Sequence, residues 1–158
     1  MYQQLIDHLK NKRIVLLGMG REGHSTYIFI RRYLPEQKLI IADAKQVELD
    51  NDPNVEFVCG DGYLGAIDRA DIVIKTPGIP LLHIKRPQGV EVTCQTDLFL
   101  RFSGFTCVGV TGTKGKTTTS TLIYSMLRAA GKEACLIGNM GYPVFDNIED
   151  CAGEIAVI

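Results

Sequence analysis

No apolar run in this sequence approaches the roughly 20 residues that a helix needs to cross a bilayer, so no spanning helix is expected. An excess of either charge is also missing. The 17 Lys and Arg stand against 18 Asp and Glu, a formal net charge of −1, which removes the electrostatic case for a nucleic-acid or anionic-membrane partner. Residues 1–12 include an acid at Asp7 and lack the basic-then-apolar layout of a secretion leader, so the cytoplasm is the expected location. Histidine is scarce and scattered (His8, His24, His83), and Cys59, Cys94, Cys107, Cys135 and Cys151 contain no C-x-x-C pair. Zinc-ligand spacing is therefore absent. Cysteines that sit in or beside apolar runs are expected to be buried, reduced thiols. Internal repeats and low-complexity tracts are absent as well.

What is present is the composition of a globular protein, 46% hydrophobic and 22% charged over 158 residues. That is room for one ordinary domain, or for a small one and part of another. Short apolar runs at 13–17, 38–42, 55–59 and 71–75, with a weaker one at 90–93, read as strands. Between the first two, residues 22–34 carry Tyr27, Ile28, Ile30 and Leu34 at helical spacing, and Pro35 stops the run. A second series follows: a strand at 105–110, a Gly/Thr/Lys loop at 111–118, and a helix at 119–130 with Leu122, Ile123, Met126 and Leu127 on one face. Gly131 suits the C-cap of that helix. Strands are expected again at 133–137 and 154–158, with a boundary between the two series at 96–104. Strands alternating with helices argue for an α/β fold with a parallel sheet and right-handed crossovers. The apolar run at 154–158 has no polar tail after it, which reads as a break inside a domain.

The first strand ends in Gly18-Met19-Gly20-Arg21-Glu22-Gly23, which is G-x-G-x-x-G with a strand before it and a helix after it. The first glycine permits the tight turn, the second a close approach of backbone to ligand, and the third the packing of helix on strand. A helix N-terminus there offers free N–H groups to a phosphate. Asp43 closes the second strand, where an acid can accept hydrogen bonds from ribose hydroxyls. On these residues three readings stand side by side: a dinucleotide such as NAD, a nucleotide-sugar diphosphate, and a tight turn without a ligand. Thr76-Pro77-Gly78 after the fourth strand would lie at the same sheet edge, and reads equally well as plain turn chemistry.

The second loop is the stronger signal. Gly109-Val110-Thr111-Gly112-Thr113-Lys114-Gly115-Lys116-Thr117-Thr118 follows a strand and opens a helix. Successive N–H groups in such a loop make a concave nest for an anion, Lys116 reaches the β- and γ-phosphates, and the Thr117 hydroxyl is placed for Mg²⁺. The strict phosphate-loop pattern has glycine where Val110 stands, so this is a variant. A nicotinamide dehydrogenase has no need of this loop, and a small-molecule kinase has no need of the first one.

Thr111–Thr118 resembles the variant ATP loop of the Mur ligases and folylpolyglutamate synthases. The first glycine turn, Thr-Pro-Gly-Ile-Pro at 76–80, Thr96-Asp97-Leu98-Phe99 and Gly138-Asn139-Met140-Gly141-Tyr142-Pro143 occur in the order found in the D-glutamate-adding branch of the Mur ligases. The resemblance covers nearly the whole chain. It implies a Rossmann-like UDP-binding domain at 1–98, then at 99–158 the truncated start of a P-loop ATPase-type central domain. Gly18, Met19, Gly20, Arg21, Glu22 and Gly23 would hold the diphosphate, Asp43 would contact the uridine, and Thr76, Pro77 and Gly78 would close over the nucleotide. The family often has threonine after the acid; Ala44 stands here. Gly112, Thr113, Lys114, Gly115, Lys116, Thr117 and Thr118 would bind ATP, with Thr117 on Mg²⁺. Lys116 and Asn139 would serve the reacting centre.

The activity so implied is ATP-dependent joining of D-glutamate to UDP-N-acetylmuramoyl-L-alanine through an acyl phosphate, in peptidoglycan synthesis, by a monomer. The family's magnesium-binding glutamate, its modified lysine and its amino-acid domain would come after the last strand. The resemblance therefore implies that these 158 residues bind without ligating. A non-catalytic nucleotide-binding module and an NAD-dependent oxidoreductase are the competing readings.

Overall fold

The structure, a computed structural model, describes residues 2–49, 51–80, 82, 84–138, 142–148, 151 and 155–158. The first apolar run forms β1 (Ile14–Leu17), and all four of its side chains are buried. Complete burial means that both faces of the strand are covered, as parallel sheets require. β2 (Leu39–Asp43), β3 (Val55–Cys59), β4 (Ile72–Lys75) and β5 (Glu91–Thr93) join it in the order β3-β2-β1-β4-β5. Every pairing is parallel; Ile14, for example, lies opposite Leu39 on one side and Ile72 on the other. The strand order reverses between β1 and β4, so their C-terminal ends flank the crevice where open sheets of this kind bind ligands.

Period-two alternation divides the sheet's side chains between two cores. Ile14, Leu16, Ile41, Ile72 and Ile74 face α1 (Gln3–Leu9), α2 (Arg21–Tyr33) and α3 (Gln95–Phe102). Val15, Leu17, Ala42 and Val73 face Ala66 and Ile67, which belong to a 3-10 helix at Tyr63–Arg69. On α1, Leu5 and Leu9 make an i, i+4 apolar stripe that the sheet buries. The face that α2 buries is Gly23, Ser25, Thr26, Phe29 and Ile30, whereas Ile28 is 46% exposed. Of the apolar face expected from the sequence, Ile30 is buried and Tyr27 and Leu34 pack partly against the core, whereas Ile28 turns to solvent and Ser25, Thr26 and Phe29 are buried in addition. The expected boundary at 96–104 is largely α3, whose Leu98 and Phe99 are fully buried.

The second unit is a three-stranded parallel sheet, with β8 (Ile155–Val157) between β6 (Thr106–Val108) and β7 (Ala134–Leu136). α4 (Lys116–Ala129) starts three residues earlier than the run at 119–130 that the sequence suggested. It buries only Ser120, and Leu122 and Met126 of its expected apolar face are 59% and 63% exposed. Ile137, Val144, Phe145, Ile148, Cys151 and Ala156 belong to the same core cluster as Leu5, Phe29 and Phe99, so the two units share one apolar interior. The Phe145 ring stacks on Phe29 at 4.3 Å between centroids, and the Tyr2 hydroxyl donates to the Ile148 carbonyl. The expectation of reduced cysteines fails at one pair: Cys135 of β7 and Cys151 form a disulfide. Spacing of 16 residues gave no hint of it; the return of the chain from β7 to β8 brings the two side chains together. Cys59, Cys94 and Cys107 are free and half-buried.

Candidate functional site

The glycine turn after β1 is built as its spacing suggested. Gly18 adopts φ 91°, and a Cβ there would collide with the Thr76 hydroxyl and come within 3.1 Å of Ile79. A Cβ on Gly23 would overlap the Gly18 carbonyl oxygen, so the helix can sit this close to the strand only with glycine at 23. Gly20, the N-cap of α2, has open space where a side chain would be. The Gly18 N–H donates to the Ala42 carbonyl at 2.8 Å, and the Thr76 N–H to the Leu17 carbonyl at 2.9 Å. Asp43 accepts the Met19 N–H at 2.7 Å on one carboxylate oxygen and the Lys45 N–H at 2.9 Å on the other. An ionised carboxylate has about four acceptor positions, so two such bonds leave Asp43 able to accept from a ligand. Its first task is local: it ties the glycine turn to the end of β2.

The fold thus brings Gly18–Gly23, Asp43 and Thr76–Gly78 to one place, the reversal point of the sheet. A cleft of about 380 Å³ opens there. One wall is Gly20, Arg21 and Glu22, the second is Thr76, Pro77 and Gly78, and the third comes from Thr96, Gly138 and Tyr142–Val144. A shallower cavity of about 860 Å³ continues past Met19 and His24 to Tyr142 and Asp146. Desolvation pushes the Glu22 carboxyl up from its ordinary value, opposed by the Gln95 N–H and by the charge of Lys75. Another cavity, of about 880 Å³, lies at the opposite, N-terminal edge of the sheet beside Arg13, Lys38 and Glu56. Three of its charges are engaged in ion pairs, Arg69 with Glu56 and Arg13 with Asp71. Its position away from the strand C-termini makes it the weaker candidate despite its size.

The second loop stands apart from this cleft; no residue from 112 to 118 lines it. Gly112 (φ 153°) and Gly115 (φ 79°) both take positive φ, and Gly115 caps α4 in the left-handed region. Thr113, Lys114, Thr117 and Thr118 are exposed, and the Lys116 ammonium reaches back to donate to the Gly112 carbonyl. A lysine held across a glycine-rich turn at a helix N-terminus suits an anionic polyphosphate. For Mg²⁺ the loop offers the Thr117 hydroxyl, and among the described residues no cluster of three or more His, Cys, Asp or Glu could hold a metal. A single protein oxygen is compatible with Mg²⁺, which keeps waters and binds through substrate phosphates. Asn139 lies outside the described residues, while its neighbour Gly138 is at the cleft.

Sequence reasoning gave no role to the third wall of the cleft. Thr96, Gly138, Tyr142 and Pro143 were visible only as parts of motifs, and Val144 belonged to none. Gln95, fully buried beside them, carries no pattern that marks it.

A doubly wound parallel sheet with a glycine turn at its reversal point, followed by a second parallel unit with a lysine-bearing glycine loop, defines the class: an α/β protein with two glycine-rich strand-to-helix loops. Residues 110–153 match the Mur ligase middle domain. Over 99% of its length the chain is 30% identical to a UDP-N-acetylmuramoylalanine–D-glutamate ligase of Clostridium acetobutylicum, of which it covers 36%. Over 90% of its length it is 33% identical to the enzyme so named in Acetivibrio thermocellus, covering 32% of that protein. A Clostridium botulinum protein of the same name is 29% identical over 99% of this chain, with 36% of its own length covered. The chain is a relative of the Mur ligases, and it spans about a third of the length of the curated relatives it matches. Among the described residues no helix is long and apolar enough to cross a membrane.

Proposed function

We propose that this chain forms the nucleotide-sugar-binding part and the start of the ATP-binding part of a cytoplasmic, monomeric ligase that joins D-glutamate to UDP-N-acetylmuramoyl-L-alanine in peptidoglycan synthesis. The observation that carries the reading is the glycine turn at the reversal point of the sheet, locked against Thr76 and tied to Asp43. Residues 1–98 would bind the UDP end, and residues 99–158 would begin the ATP-binding domain. The α2 N-terminus and the free N–H groups of 20–23 would face the diphosphate. Asp43, already oriented by two N–H donors, would use its remaining capacity on the uridine side. Thr76–Gly78 would form the lip over the nucleotide.

In the proposed reaction the substrate carboxylate attacks the γ-phosphorus of ATP. The bond to the β–γ bridging oxygen breaks, and ADP leaves from an acyl phosphate. The amine of D-glutamate then attacks the acyl carbon, loses a proton, and expels inorganic phosphate as the amide forms. Lys116, which must leave the Gly112 carbonyl to do so, would neutralise charge on the transferring phosphoryl group together with the loop N–H donors. Mg²⁺, held in part by Thr117, would supply further neutralisation of the phosphate oxygens. Asn139 would line the reacting centre.

Calorimetry of the 158-residue chain with UDP-N-acetylmuramoyl-L-alanine tests the reading. Binding is expected, and Lys116→Ala should leave it unchanged because the loop lies outside the cleft. ATP should bind weakly, and no phosphate release dependent on both substrates should occur. Tight NADH binding with no UDP-sugar binding would overturn the assignment of the glycine turn in favour of a dehydrogenase.

A further inference from the structure

Gln95 is fully buried at the first position of α3, so its polar side chain must be satisfied within the fold. Its side-chain nitrogen donates to the Ser25 hydroxyl at 3.0 Å and the Thr26 hydroxyl at 3.2 Å, both on α2. Its side-chain oxygen accepts the Phe145 N–H at 3.3 Å, from the second unit. The orientation of the amide is dictated by its partners. The Thr26 hydroxyl spends its hydrogen on the Glu22 carbonyl at 2.8 Å, so toward Gln95 its oxygen can only accept, and the Phe145 N–H can only donate. The Gln95 backbone also lies near the Glu22 carboxyl and opposes its upward shift. One residue therefore ties α2 at Ser25 and Thr26, the start of α3 and the 145 position together.

Three residues at or beside this network wall the cleft, and Ser25 lines the neighbouring cavity. Glu22 lines the cleft directly, Thr96 follows Gln95, and Val144 precedes Phe145. Packing alone could hold these elements together, since Phe145 stacks on Phe29 and Val144 is buried. Apolar contacts are non-directional, however, whereas a fully satisfied buried amide admits one arrangement.

We propose that Gln95 is a positioning residue that sets the width of the cleft, fixing the 142–145 wall of the second unit against the glycine-turn helix and so tuning affinity for a uridine diphosphate group. This rests on the proposed nucleotide-sugar reading of the cleft. It assigns the second unit a part in that binding through its 142–145 segment rather than through its phosphate loop.

The test compares the full 158-residue chain with Gln95→Met, which keeps length and apolar volume but no hydrogen bond, and with Gln95→Glu, which keeps an acceptor for the Phe145 N–H. Two quantities are measured: amide hydrogen exchange resolved at Phe145 and along β1, and the affinity for UDP by calorimetry. For Gln95→Met, Phe145 exchange should quicken about tenfold or more while β1 keeps its protection, and UDP affinity should fall about tenfold, the scale of one lost hydrogen bond. Gln95→Glu should recover much of the Phe145 protection. Exchange that quickens equally at Phe145 and in β1 would overturn the proposal, because the role would then be stability alone. Unchanged UDP affinity beside a loosened Phe145 would also overturn it. Should Gln95→Met fail to fold, Ser25→Ala, which deletes one arm of the network, decides by the same two measurements. Failure of the unaltered chain to bind UDP would sink the nucleotide-sugar reading and the affinity claim with it, while the exchange data would still decide whether Gln95 fixes the 145 position.

Discussion

Gly20 and Gly23, three positions apart in one turn, should respond in opposite ways to the same substitution. Gly23→Ala drives a methyl group into the Gly18 carbonyl, and such overpacking costs about 1–3 kcal/mol, read as a lower denaturant midpoint. Gly20→Ala meets no atom within 4 Å and has an ordinary φ of −67°, so stability should stay within about 0.5 kcal/mol while the methyl group intrudes on ligand. Loss of UDP binding without loss of stability at Gly20 would check that role. A third site, Asp71, governs acid behaviour. Hydrogen bonding from the Arg13 guanidinium holds its carboxyl at about 2, below the ordinary 3.8. A folded value below the unfolded one means that the pair stabilises the protein above the unfolded value and is lost as pH falls through the folded value. Denaturant midpoints should therefore drop between about pH 4 and 2, and Asp71→Asn should reduce that slope. The slope will not vanish, since Asp52 and Glu56 are lowered as well, and added salt should weaken the exposed Arg13–Asp71 contribution. The glycines were legible because each has a local geometric reason that spacing reveals. Gln95 was not, because its partners lie 70, 69 and 50 positions away and only the tertiary fold makes it a buried amide.

Among the elements, β1 and β4 were readable from apolar runs alone, since double-sided burial demands unbroken hydrophobic sequence, whereas the edge strand β3 shows alternation and is partly exposed. Helix faces were less readable. On α2 the buried face adds Ser25 and Thr26, partners of Gln95, to Phe29 and Ile30, while Ile28 is left in solvent. On α4 the expected face is mostly in solvent. The stretch read as a boundary at 96–104 is largely α3, in which Phe99 is buried and stacks near Phe105 at 5.6 Å between centroids. Phe99→Ala should cost about 3–5 kcal/mol, measured by equilibrium unfolding, where a true linker would lose almost nothing. The disulfide between β7 and the segment before β8 is equally checkable. Unfolded without reductant, the chain should expose the three free thiols Cys59, Cys94 and Cys107 to alkylation, and all five cysteines once reduced.

Across the whole molecule, the feature that matters most is the interior common to both sheets. Phe29 of the first unit and Phe145 and Ile148 of the second belong to one cluster. A chain with two separable cores would unfold in two steps, whereas a shared core favours one cooperative transition. Far-UV circular dichroism and tyrosine fluorescence should thus report coincident urea curves, and divergence would show independent units. The disulfide adds a property of a different kind. It closes the chain from 135 to 151 into a covalent ring, and Tyr142, 61% exposed, sits on that ring. A single backbone cut within that ring would leave the two pieces tethered, migrating as one species in electrophoresis until a thiol is added. Severing the backbone there would change the topology of the molecule without releasing either half.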